Sequence, residues 1–181
     1  MITPAAIRRI RERVTALLED QGIEGPPVPV DKIAENLGLE VRLAPLRGDL
    51  YGALIRSDRE MYIGVNSLNH VNRRRFTIAH ELGHFLLHKG IKVHIDKGFR
   101  VNLRDDESSQ AVSDEEMEAN RFAAELLMPI QFLKKDIEQL EGVRQETVAV
   151  LSRKYRVSSQ AMKIRLGNFG YIPPDWSDEK S

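Results

Sequence analysis

The chain has 181 residues, 41% of them hydrophobic, which is enough to bury a core as one domain with a small appendage. Lys plus Arg and Asp plus Glu each total 27, so the formal net charge is +0 and no overall pull toward nucleic acid or a membrane surface is expected. The absence of cysteine excludes disulfides and thiolate metal sites, and no apolar run reaches transmembrane length, so a soluble, cytoplasmic protein is expected.

Residues 1–21 read as an amphipathic helix rather than a leader: Thr3 is an N-cap, Pro4 fills the first helical position, and Ile7, Ile10, Val14, Leu17 and Leu18 recur at helical spacing. Gly25-Pro26-Pro27 is a stiff break. Asp31 reads as the N-cap of a short helix through Ile33, Ala34 and Leu37, stopped by Gly38. Three β-like runs follow at 39–43, 51–55 and 61–65, with Ser57-Asp58-Arg59-Glu60 as a hairpin turn, and they predict a small antiparallel sheet. Asn66 or Ser67 then caps a long helix ending near Lys89-Gly90, with Arg73-Arg74-Arg75 in its first turns as a solvated run. Residues 91–110 are polar and irregular and read as a mobile loop near a cleft mouth. A second helix reaches Met128, and Pro129 precedes a short helix through Phe132, Leu133 and Ile137.

The last two helical stretches, 145–155 and 158–166, flank Arg156-Val157-Ser158 in a helix-turn-helix-like pattern, with Lys154, Arg156, Lys163 and Arg165 giving a basic cast. The fold class is therefore α+β, organised as an N-terminal helix (1–24), a core (25–142), a C-terminal helical segment (143–172) and a flexible tail (173–181) whose Trp176 is able to dock.

The chemistry centres on His80-Glu81-Leu82-Gly83-His84, set in an apolar helix-forming run. Residues four apart share a helical face, so His80 and His84 can turn imidazole nitrogens to one ion. Glu81 lies roughly 100° further round, poorly placed as a ligand and well placed to touch a water beside the ion. Two unpaired imidazoles on a buried face would be costly to desolvate, which disfavours a purely structural pair. His88, one turn further, is too far along a straight helix to join the same ion and reads as packed or substrate-side, while His70 and His94 carry no signal.

A zinc hydrolase needs a third protein ligand. Glu116 and Asn120 share one face of the next helix, a carboxylate beside an amide able to hold a ligand histidine. Ser113-x-x-Glu116 is also a capping box, and on that reading Glu115, Glu118 or an aspartate of the preceding loop becomes the ligand.

The run Arg75-Phe76-Thr77-Ile78-Ala79-His80-Glu81-Leu82-Gly83-His84, with Glu116-x-x-Ala119-Asn120-x-Phe122-Ala123 and Leu126-Leu127-Met128-Pro129, resembles the ImmA/IrrE family of metallopeptidases. The likeness runs from about Val28 to the C-terminus. It implies a zincin-like core with Glu116 as third ligand, a C-terminal helical segment that belongs to the peptidase body rather than to a DNA reader, and Zn2+ as the ion, with Mn2+ able to use the same ligands. It also implies a substrate: a helix-turn-helix repressor of the Xre type, cut so that stress-response or mobile-element genes are released. Glu81 is the expected general base, and Tyr51, Tyr62 and His88 are unranked candidates for stabilising the oxyanion. The rivals are a non-proteolytic regulator or antitoxin-like module that contacts partner or DNA, and a small-molecule amidase or deaminase. Binding alone would not require Glu81.

Overall fold

The computed structural model describes residues 2–47, 50–57, 60–88, 93–96, 114–140 and 143–173. The expected turn at Asp58-Arg59, the loop through 97–110, the Ser113 cap and the tail with Trp176 lie outside them.

Helix α1 spans Pro4–Asp20, and Thr3 Oγ1 accepts from the Ala6 amide at 3.2 Å, the capping expected of Thr-Pro. Ile10, Val14, Leu17 and Leu18 are buried, so its apolar stripe joins the common core. Helix α2, Val30–Asn36, starts earlier than expected: Pro29 occupies the N-cap position and Asp31 sits in the first turn, where its charge suits the helix dipole. Gly38 ends it at φ 81°, a left-handed conformation that favours glycine.

The strands β1 (Glu40–Ala44), β2 (Gly52–Arg56), β3 (Met61–Asn66) and β4 (Val93–Asp96) form one sheet in the order β1-β3-β2-β4. The expectation of an antiparallel sheet is corrected in one ladder. β2 runs antiparallel to β3 and β4, but β1 runs parallel to β3. The cause lies in the connection after β1, which crosses the end of β3 to reach its far side. Asn66 anchors that crossing, accepting from the Leu46 and Leu68 amides and donating to Leu50 O at 2.9 Å. Asn66 is thus a loop organiser and not the cap of the long helix. β4 is the second correction, a strand in a segment read as irregular.

That long helix, α3, spans Val71–Leu87, and its N-cap is His70, whose Nδ1 accepts from the Asn72 amide at 3.2 Å. The Arg73-Arg74-Arg75 run is not simply solvated. Arg75 is buried and donates to Val28 O at 2.8 Å, while Arg73 lies over the Tyr51 ring at 4.5 Å. Gly52 lets the sheet lie against α3, since a Cβ there would sit 2.3 Å from Thr77 Cγ2.

Helix α4, Asp114–Leu127, packs along α3 and also meets α1. Then come α5 (Ile130–Gln139), α6 (Gln145–Tyr155) and α7 (Ser159–Asn168), with Ser158 Oγ accepting from the Ala161 amide at 3.1 Å as the N-cap. Among the described residues no helix is long and apolar enough to cross a membrane.

Glu125 and Arg165, both almost fully enclosed, join α4 to α7. Arg165 also donates to Met128 O at 2.8 Å, and Arg121 supports the same carboxylate at 2.7 Å. Arg165→Met leaves a buried carboxylate short of its main partner and is expected to cost about 3 kcal/mol, since breaking one side of a buried pair is strongly destabilising. Urea unfolding of the variant beside the wild type measures it.

Candidate metal centre

Helices α3 and α4 touch backbone to backbone at Gly83. A Cβ there would lie 3.0 Å from Ala119 Cα and 3.2 Å from Ala119 O. This contact accounts for the glycine inside a buried helix: another backbone occupies the space of its side chain. It also brings the faces bearing His80 and His84 on α3 and Glu116 and Asn120 on α4 within side-chain reach.

His80 Nε2 and His84 Nε2 are 3.1 Å apart. Glu116 Oε2 lies 3.4 Å from His80 Nε2, and Oε1 lies 3.2 Å from His84 Nε2. Metal bonds of 2.0–2.1 Å in tetrahedral array set donors about 3.3–3.4 Å apart, so these three side chains fit one small divalent ion with a vertex left over. The second contacts suit the same purpose. His80 Nδ1 lies 3.1 Å from Asn120 Oδ1, an amide oxygen able to accept an Nδ1 proton, which would leave the Nε2 lone pair for an ion. Glu81 is fully enclosed beside this set.

Of the alternatives for the third ligand, Asp105 and Asp106 lie outside the described residues, Asp96 stands near His80 and Glu81, and the two other glutamates turn away. Glu115 is exposed, and Glu118 turns to His88 at 3.2 Å and to Arg9 at 2.8 Å. His88 is packed and its Nδ1 meets His84 Nδ1 at 3.1 Å, on the side of His84 away from Glu116. Tyr62 lies on the sheet face opposite the core-facing Ile63, with Arg42 over its ring at 4.1 Å. Tyr51 is covered by Arg73.

The residue that sequence reasoning missed is His94 of β4. Its Nε2 lies 2.7 Å from Glu116 Oε1 and its Nδ1 3.1 Å from Glu81 Oε2, with its ring stacked on His84 at 3.8 Å. At 2.7 Å the Glu116 contact is a hydrogen bond, shorter than a tetrahedral donor–donor edge, although His94 belongs to the same group of possible ligands. A second group joins His80, Glu81 and Asp96, since His94 and Asp96 share the inward face of β4.

Charge coupling within the cluster is strong. Burial alone would raise the Glu116 pKa, but bonds to His80, His84 and His94 hold it far below the ordinary carboxylate range. Burial pushes His84 down to about 4 despite its bond to Glu116. For His94 burial is outweighed by bonds to Glu116 and Glu81, which raise it to about 10. Burial raises Glu81, partly offset by His94.

A family model, the IrrE N-terminal-like domain of peptidase family M78, matches residues 34–167. The chain belongs to the ImmA/IrrE family of metallopeptidases. Metallopeptidase ImmA of Bacillus subtilis (strain 168) is 25% identical over 175 residues, covering 94% of this chain and 91% of that protein. An uncharacterized immunity region protein 2 of Bacillus phage phi105 is 29% identical over 124 residues, covering 64% of this chain and 73% of that protein. A Mycobacterium tuberculosis transcriptional regulator shares the fold, with a TM-score of 0.59 at 16% identity, and this chain covers 46% of its length. The match to the ImmA/IrrE family spans α3 and α4 whole, the two helices that carry the site.

Gly83→Ala tests the close approach. The added methyl gains about 1 kcal/mol of helix propensity and forces α3 and α4 apart, and overpacking of this kind costs about 1–3 kcal/mol. The expected result is a net loss of stability on denaturant unfolding together with weaker metal retention during dialysis against chelator.

Proposed function

We propose that the chain is a zinc-dependent endopeptidase in which His80, His84 and Glu116 hold the ion and Glu81 is general base and then general acid. The observation that carries this reading is the spacing of the three donors, 3.1, 3.2 and 3.4 Å, beside an enclosed carboxylate that is not among them. Two nitrogens and one oxygen in this array suit zinc, and manganese can use the same set. When bound, the ion supplies Lewis acidity that lowers the pKa of a water and polarises the scissile carbonyl. Glu81 takes the water's proton and passes it to the leaving amine, and the burial that raises its pKa gives the carboxylate the basicity for this. His94 holds Glu81 in place through Nδ1 while its Nε2 bonds Glu116, and Tyr62 and His88 both face away from the site.

The substrate is a segment of a partner protein. β4 is an edge strand among the described residues, with His94 and Asp96 toward the site, so an extended peptide pairing along it would lie over the ion. Family membership favours a helix-turn-helix repressor, cleaved to relieve repression under stress or in a mobile element, and the immunity-region name of the phage relative suits the latter; such a substrate puts the protein in the cytoplasm. Direct DNA contact by α6 and α7 has less support, because Arg165 is buried on Glu125 and Lys154 binds Asp136 at 2.6 Å.

Incubation of the purified chain with the candidate repressor, resolved on a gel, is expected to show one cut that chelator abolishes. Glu81→Gln keeps zinc and slows cleavage about 10²–10⁴-fold, while His80→Ala loses zinc and activity together. Wild-type cleavage by zinc-loaded Glu81→Gln would overturn the assignment, and DNA retention that survives chelation would favour a non-proteolytic regulator. His94→Phe, which removes the bond that holds Glu81, is expected to keep zinc and lower kcat about 10²–10³-fold with little change in KM, read from initial rates.

A further inference from the structure

Behind His84 the contacts do not stop at one shell. His84 Nδ1 meets His88 Nδ1 at 3.1 Å, His88 Nε2 meets Glu118 Oε2 at 3.2 Å, and Glu118 Oε1 accepts from Arg9 Nη2 at 2.8 Å. These are consecutive contacts from a metal-facing imidazole on α3, through α4, to α1. The geometry points to His88 and Glu118 as a positioning relay for His84, anchored by Arg9 of the N-terminal helix. The inference rests on the reading of His84 as a ligand through Nε2.

The direction of every bond follows from that one condition. If Nε2 of His84 gives its lone pair to the ion, Nδ1 carries the proton and donates it, so His88 Nδ1 accepts. His88 must then hold its own proton on Nε2, which donates to Glu118, and the carboxylate in turn accepts from Arg9. A metal-ligating histidine ordinarily gives its second N–H to a carboxylate, carbonyl or water. Here a second imidazole stands between histidine and carboxylate, and the charge lies one residue further out. His88 is 8% exposed, so a partner for His84 cannot readily be replaced by bulk water.

The relay also gives α1 a place in the centre. Arg9 lies outside residues 34–167, the part matched by the family model. Its side chain is 65% exposed, so its own contribution is small, and the weight rests on His88 and Glu118, whose side chains are 7% and 19% exposed. His80 has a shorter support in Asn120, an uncharged amide. The two histidines are therefore held by different means on their Nδ1 sides, His80 by an amide and His84 through His88 by a carboxylate.

Zinc affinity, measured on the full chain by competition with a chromophoric chelator, reads the relay without recourse to activity. His88→Leu fills the space without an acceptor and is expected to weaken zinc binding about 10–100-fold, the cost usual for an outer partner of a ligand. His88→Asn restores an acceptor close to the position of Nδ1 and is expected to recover most of the loss, and Glu118→Ala is expected to weaken binding by a smaller factor. Histidine ¹⁵N shifts of the zinc-loaded protein are expected to show His84 protonated at Nδ1 and His88 at Nε2. Equal losses in His88→Leu and His88→Asn would mean packing alone and overturn the relay, as would unchanged affinity in both or the opposite His88 tautomer. Should His88→Leu fail to fold, Glu118→Ala decides on a more exposed residue, and unchanged affinity there overturns the relay. His84→Ala separates the two levels: zinc bound with wild-type affinity in that variant sinks the ligand assignment itself, whereas its loss beside unaffected His88 and Glu118 variants sinks the relay alone.

Discussion

The contact between the backbones of α3 and α4 at Gly83 and Ala119 is the constraint from which the site follows. Gly83 sits in the same turn as His80 and His84, and Ala119 in the same turn as Glu116 and Asn120. A glutamate side chain spans only a few ångströms, so Glu116 can approach both imidazoles only where the helix axes come unusually close. Small residues at the crossing permit that, and Phe122 and Leu82, both fully buried, keep the two helices packed beyond it. The donor set is thus a consequence of core packing, and its precision is the precision of two rigid elements.

How much of this can be read from the sequence depends on whether the signal is local. The pairing of His80 with His84, and of Glu116 with Asn120, is fixed by helical period and needs no tertiary knowledge. That the two pairs converge is not local, and the family resemblance supplied it. His94 is invisible because β4 inverts the usual pattern: Val93 and Ile95 face outward at 56% and 51% exposure, while His94 and Asp96 face in. A polar-inward strand four residues long, held through its pairing with β2, resembles a loop when read alone. The parallel β1–β3 ladder escapes for a similar reason, since apolar runs locate strands without naming their neighbours.

Buried charges escape a sequence reading where their partners lie far along the chain. Arg75 finds the Val28 carbonyl and Arg165 finds Glu125 and the Met128 carbonyl, partners 47, 40 and 37 residues away in sequence. A basic run looks solvated until such acceptors are known. The same pairings alter the meaning of the C-terminal helices. Lys154 and Tyr155 of α6 both bind Asp136 of α5, and Arg165 of α7 binds α4, so these helices are cross-linked into the body through residues that a nucleic-acid surface would have to present outward.

The site divides its tasks between elements of unlike character. The three clustered donors and their supports stand on α3 and α4, which are buried along their contact, whereas the groups facing an incoming chain, His94 and Asp96, stand on an edge strand with one free side among the described residues. Glu81 lies between them, fully enclosed, its pKa raised first by burial, lowered by contact with His94 and raised a little by Asp96. Any shift of β4 therefore bears on Glu81 and, through the His94–Glu116 bond, on one member of the donor set, while His80 and His84 are held from behind by Asn120 and His88. On the proposed function, pairing of a peptide with β4 would act on that strand directly, so substrate engagement and adjustment of Glu81 become one event.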